Sequence, residues 1–214
     1  TDKQGRVYGI GGSGNSVIYN NVYRFDNDQW TTVASMNYPR QIPAVATDSS
    51  GYIYALGGFK MGSEADSTVE RYDSENNVWK ELPSMNVPRG GFAAFTDSNG
   101  NLYAMGGATN GGVHTNTCEK LDPNTPEQGW KFVTPISNAQ WIQGTKGVDG
   151  MFYLCGGWLS SQRTTNAVNI FNPNTGTFSS YSPMNISTNN FGVVAMPNGR
   201  IYALGGDEGN SRVE

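Results

Sequence analysis

Short apolar stretches alternate with polar segments along the whole chain. Within them the apolar positions follow the two-residue period of a strand that turns one face inward, most clearly in Val69-Glu70-Arg71-Tyr72-Asp73. One stretch occurs five times, as Val7-Tyr8-Gly9-Ile10-Gly11-Gly12, Ile53-Tyr54-Ala55-Leu56-Gly57-Gly58, Leu102-Tyr103-Ala104-Met105-Gly106-Gly107, Phe152-Tyr153-Leu154-Cys155-Gly156-Gly157 and Ile201-Tyr202-Ala203-Leu204-Gly205-Gly206. After each Gly-Gly comes a polar loop. A further strand pattern follows it, at Val22-Tyr23-Arg24-Phe25-Asp26, Val69–Asp73, Cys118-Glu119-Lys120-Leu121-Asp122 and Val168-Asn169-Ile170-Phe171-Asn172. Turn-forming residues come next, and an aromatic then opens another strand at Trp30, Trp79, Trp130 or Phe178. A proline-marked crossing leads to a small-residue strand such as Ala44-Val45-Ala46 or Ala93-Ala94-Phe95. A tight turn such as Asp97-Ser98-Asn99-Gly100 returns the chain to the Tyr-containing strand. Four strands joined by hairpin-length loops predict one antiparallel sheet per period.

The first glycines of the five pairs are 46, 49, 50 and 49 residues apart. A near-constant spacing of that length marks a repeat architecture. Each sheet has two apolar faces and is stable only between neighbours. The glycines belong where a strand end approaches the backbone of an adjoining turn and no Cβ fits.

The crossings read Met36-Asn37-Tyr38-Pro39-Arg40 and Met85-Asn86-Val87-Pro88-Arg89, with weaker copies at Pro135–Gln140 and Pro183–Thr188. Gly-Gly, an aromatic plus acid, Trp and Met-Asn-x-Pro-Arg, in that order, resemble the Kelch repeat family over essentially the whole chain. The resemblance implies an all-β fold, a Kelch-type β-propeller of four-stranded antiparallel blades around a central channel. The expected division is a partial blade over 1–34, blades over 41–82, 90–133 and 141–181, and a partial blade over 189–214. Ser211-Arg212-Val213-Glu214 matches the start of a third strand. Kelch propellers usually close with about six repeats, so an incomplete ring of about four to five blades is expected here. Open edges and wet blade faces are avoided in solution, so the remaining blades are expected from missing sequence or another chain.

Composition narrows the function. No apolar run is long enough to span a membrane. With 14 basic against 18 acidic residues, a net charge of −4 and no basic tract, nucleic acid is not an expected ligand. Cys118 and Cys155 fall in different repeats and read as reduced buried thiols, which favours a cytoplasmic setting over the hint of the sequon Asn185-Ile186-Ser187. His114 is the sole histidine, which excludes a multi-histidine zinc or copper site within this segment. No cofactor and no metal is expected. The scattered loop acids Glu64, Asp66, Asp207 and Glu208 read as solvated surface.

In such a blade the loop after the second strand and the crossing between blades lie on one face. The loops run through 13–20, 59–67, 108–116 and 158–166 and differ in sequence while the strands repeat, as grafted recognition loops do. Arg40 and Arg89 match the crossing position from which similar Kelch adaptors present arginines to acidic peptides. The alternative for each is a pair with a neighbouring acid or carbonyl. Gln140 and Thr188 stand at that position in the next two crossings. Trp141 and Trp158 lie outside the repeated Trp column and suit an interface, with Arg163 beside them. Trp30, Trp79 and Trp130 recur in register and read as structural.

The leading expectation is a non-catalytic module that binds a peptide or protein partner through Arg40, Arg89, Gln140, Trp141, Trp158 and Arg163. The resemblance offers two alternatives: a structural subunit of a cytoskeletal or ciliary assembly of the actin-binding type, and a sugar-binding propeller similar to sialate mutarotases.

Overall fold

The computed structural model describes residues 1–138, 140–159 and 163–206, apart from the side chain of Gln140. The strand pattern at 211–214 and the acids Asp207 and Glu208 lie outside the described residues. Blade one comprises β1 (Val7–Ile10), β4 (Val22–Asp26) and β5 (Gln29–Val33). A two-stranded arm on its loop side is formed by β2 (Ser13–Gly14) and β3 (Val17–Ile18). Blade two is β6 (Ala44–Thr47), β7 (Ile53–Leu56), β8 (Val69–Asp73) and β9 (Val78–Leu82). Blade three is β10 (Ala93–Thr96), β11 (Leu102–Met105), β12 (Cys118–Leu121) and β13 (Lys131–Val133). Blade four is β14 (Gln140–Lys146), β15 (Phe152–Leu159), β16 (Val168–Asn172) and β17 (Thr177–Tyr181). Blade five shows β18 (Gly192–Ala195) and β19 (Ile201–Leu204).

Every sheet is antiparallel and ordered as the chain runs. The innermost strands β6, β10, β14 and β18 neighbour one another in turn, which sets the blades side by side about an axis. The core is a series of inter-blade layers. Tyr54, Leu56 and Val69 of blade two meet Leu102, Leu121 and Trp130 of blade three. Tyr103 and Met105 of blade three meet Phe152, Leu154 and Phe171 of blade four. Buried on both sides, β7 and β11 are apolar at every position.

Two devices recur. An Asp in the turn before the second strand caps that turn and receives the Tyr hydroxyl of the strand. Asp48 Oδ1 accepts Ser50 N–H at 2.9 Å and Tyr52 N–H at 3.0 Å, while Oδ2 accepts Tyr54 O–H at 2.8 Å. Asp2 with Tyr8, Asp97 with Tyr103 and Asp149 with Tyr153 repeat the arrangement. The second device joins the blades. The crossing residue's carbonyl accepts the N–H of the second glycine of the preceding pair, from Gly12 to Arg40, Gly58 to Arg89 and Gly157 to Thr188, at 2.8–2.9 Å. A Cβ on Gly11 would stand 2.6 Å from Arg40 O, and φ there is +64°, so only glycine fits.

The Trp column is not uniform. Trp79 and Trp130 are buried, and their indoles donate to Ala34 O and Pro83 O of the preceding crossing segment at 2.8 Å. Trp30, expected in the same role, is 57% exposed. Blade one has no preceding blade here to supply the carbonyl and the cover.

Candidate interaction face

Crossings and loops share a face, and backbone bridges show how. Gln41 bridges Phe59 and Phe59 bridges Ala65. Gly90 bridges Ala108 and Ala108 bridges His114. Trp141 pairs with Trp158, which bridges Thr164. Blades two, three and four thus each carry a small three-segment ladder above the sheet, built from the crossing and the two limbs of the loop.

The arginines expected on this face are not on it. Arg40 and Arg89 are fully buried. Arg40 Nη1 donates to Gly57 O and Thr68 O at 2.9 Å and to Asp66 Oδ2 at 3.3 Å, and Nη2 donates to Glu70 Oε2 at 2.9 Å. Arg89 Nη1 donates to Gly106 O at 2.7 Å and Thr117 O at 2.8 Å, and Nη2 to Glu119 Oε1 at 2.7 Å. Both carboxylates are fully buried as well and accept from the crossing backbone: Asn37 N–H reaches Glu70 at 2.7 Å and Asn86 N–H reaches Glu119 at 2.8 Å. A guanidinium fully buried in a blade, with its Nη donors committed there, is not presented to a partner. Arg40 and Arg89 therefore clamp each crossing to the third strand of the blade that follows, the alternative role weighed for them.

Glu70 and Glu119 were missed as their partners, although a signal existed. Arg and Glu stand 30 residues apart in both repeats. In blade four the corresponding positions hold Gln140 and Asn169, so cation and anion are absent together. A buried charge without its partner costs several kcal/mol, which couples the two positions.

Asp66 corrects a second expectation. It is 2% exposed, and takes hydrogen bonds from Thr68 and Arg40 and an ion pair from Lys60 at 3.2 Å. Burial works against its charge, but these partners outweigh it and hold the carboxyl below its usual range.

Trp141 is half-buried as a cap over blade three. Its indole occupies the space a Cβ on Gly91 would need, and the Phe59 ring fills that over Gly90. The two rings approach with centroids 5.8 Å apart, above Ala65 and Ala108. His114 is half-buried against Leu159 of blade four, and burial lowers its pKa. The backbone of Gln140 pairs with Leu159; its side chain lies outside the described residues. What remains open on the face is Trp158 and Arg163, joined on the other loops by Val17, Met61 and Val113. Between the arm of blade one and the loop of blade two lies a groove of about 430 Å³, bounded by Val17, Ile18, Tyr38, Pro39, Lys60 and Met61. A second cavity, of about 540 Å³, lies between blades four and five, beside Tyr153, Tyr181, Met184 and Tyr202.

Residues 4–37 and 49–86 match the Kelch motif. A stretch of 54 residues, 25% of the chain, is 33% identical to a RING finger domain and kelch repeat-containing protein of Dictyostelium discoideum, and amounts to 5% of that protein's length. Among solved structures, that of YjhT superposes with a TM-score of 0.74 at 18% identity, over 92% of this chain and 72% of its own. At that identity the likeness concerns the fold. The fivefold phrase, the four-stranded blades and these matches support a Kelch-repeat family, and the fold is a β-propeller.

Proposed function

We propose that the chain is a non-catalytic protein-interaction module, and that a peptide or protein partner docks on the face made by the divergent loops and the crossings. One observation carries this reading: each of the first four blades places a large apolar side chain in solvent there, on a loop or, in blade four, on the strand end that enters it. Val17 is 49% exposed, Met61 63%, Val113 63% and Trp158 36%. Apolar and aromatic anchors of this kind concentrate interface energy. On the opposite side the turns of blades one to three are short and polar, and their Asp carboxylates are occupied by the turns' own N–H groups. Trp158 and Arg163 remain from the residues expected to bind, with Trp141 cross-strand from Trp158. In the same reading further blades, from a longer parent sequence or another chain, cover the inner edge of β1 and the outer edge of β19.

A photo-crosslinking residue placed at Trp158, or at Ser98 on the opposite turn, tests the choice of face in the full-length protein. Partner adducts should form from position 158. Adducts formed only from position 98 would overturn the assignment.

A further inference from the structure

We propose that the groove between blades one and two binds an extended acidic-apolar peptide segment. The segment joins β3 as an added strand, seats an apolar side chain against Pro39 and Met61, and sets a carboxylate on Lys60. This rests on the interaction reading above and locates one contact within it.

The edge of the arm supplies the backbone. β2 and β3 pair Gly14 with Val17 and Ser13 with Ile18 around a tight turn, with φ +50° at Asn15 and +61° at Ser16. Tyr19 N–H donates to Gly12 O at 2.9 Å, so this position of the ladder is bonded on one side, while Gly12 N–H and Tyr19 O turn to the crossing at Arg40. Bonded and non-bonded pairs alternate in an antiparallel ladder. Ile18 therefore falls in the non-bonded pair, and its N–H and C=O point away from β2 along the free edge of β3. An exposed edge of this kind accepts an extended chain by backbone hydrogen bonding, with pockets reading alternate side chains.

The walls supply the rest. Val17 and Met61 are wet apolar side chains lining the groove. The charged residue of the lining is Lys60, and its ion pair with Asp66 is lopsided. The lysine side chain is 41% exposed, whereas the Asp66 side chain is 2% exposed and is shared with Arg40. The cation thus faces the groove while its counter-charge lies behind it. An Asp or Glu in the incoming strand complements that field and fixes its register.

The probe is a phage-displayed library of random short peptides, panned on the full-length protein, with enriched peptides then synthesised and titrated. Enriched sequences should place an apolar residue at alternate spacing from Asp or Glu. Met61→Glu, at an exposed site that leaves the melting temperature unchanged, and Lys60→Gln, which removes the cation without setting a like charge on Asp66, should each weaken binding about tenfold or more. N-methylation of the peptide amide that meets the Ile18 carbonyl should abolish it. Peptides bound equally by both variants, N-methylated peptides that bind unimpaired, or a library with no enriched sequence would each overturn the groove. Peptides that lose binding only with Trp158→Ala would overturn the groove and leave the wider face standing.

Discussion

Arg40 and Arg89 carry the two most conspicuous charges of the crossings, and both serve the scaffold. Each has its Nη donors in a set of buried acceptors that includes a glutamate, and each glutamate in turn receives the crossing's own N–H groups. Glu119→Ala leaves Arg89 charged and unpaired inside blade three, and should cost about 3–5 kcal/mol in urea unfolding. The double change Arg89→Gln with Glu119→Asn copies the residue types that stand at these positions in blade four and should recover a large part of that loss. A single variant as mild as a surface change would show that the pair is hydrated rather than buried. The tyrosines of the repeated phrase make a second prediction. Burial first, then the hydrogen bond to Asp, pushes Tyr8 and Tyr153 up to about 12 from 10.0; Tyr54 and Tyr103 move the same way. The folded state holds these protons more tightly than the unfolded one. Their stabilisation is therefore complete below the unfolded pKa of about 10 and is lost as pH rises through about 12. Absorbance titration should resolve a late class among the 11 tyrosines, and Asp149→Asn should return Tyr153 toward the ordinary range. All tyrosines titrating together would contradict the Asp–Tyr device.

At the scale of the element, each blade is finished by the segment before it. Trp79 and Trp130, on the last strands of blades two and three, close the layer by donating to the preceding crossing segment, while Trp30 finds no such acceptor among the described residues. Trp130→Phe keeps most of the ring and loses the bond to Pro83 O, at a cost of about 1 kcal/mol or more. Trp30→Phe should stay within about 0.5 kcal/mol. Equal losses in denaturant titrations would mean that the column is uniform after all. The Gly90-Gly91 pair shows the same dependence from the loop side. Phe59 of blade two and Trp141 of blade four converge on the space those glycines leave empty. A tryptophan that looked free for a partner is thereby taken into the joint between blades.

Across the molecule, burial falls from the middle blades outward. β7 and β11 are buried at every position, whereas β1 and β19 are partly or fully exposed throughout. Hydrogen exchange should therefore be slowest at 53–56 and 102–105 and fastest at 7–10 and 201–204. Uniform protection across all five inner phrases would imply that the end blades are covered in solution. The all-β class, the repeat and the run of strands were readable without coordinates, because strand period, turn chemistry and Gly-Gly placement are set within a few residues of chain. The fates of Arg40, Asp66, Trp30 and Trp141 were not readable in that way. Whether a crossing arginine faces solvent depends on a glutamate 30 residues further on. Whether a column tryptophan is covered depends on a carbonyl 45 or 47 residues earlier. Burial is a property of segments brought together by stacking, so local pattern identified the blades, and only their packing decided which loop side chains were left to meet a partner.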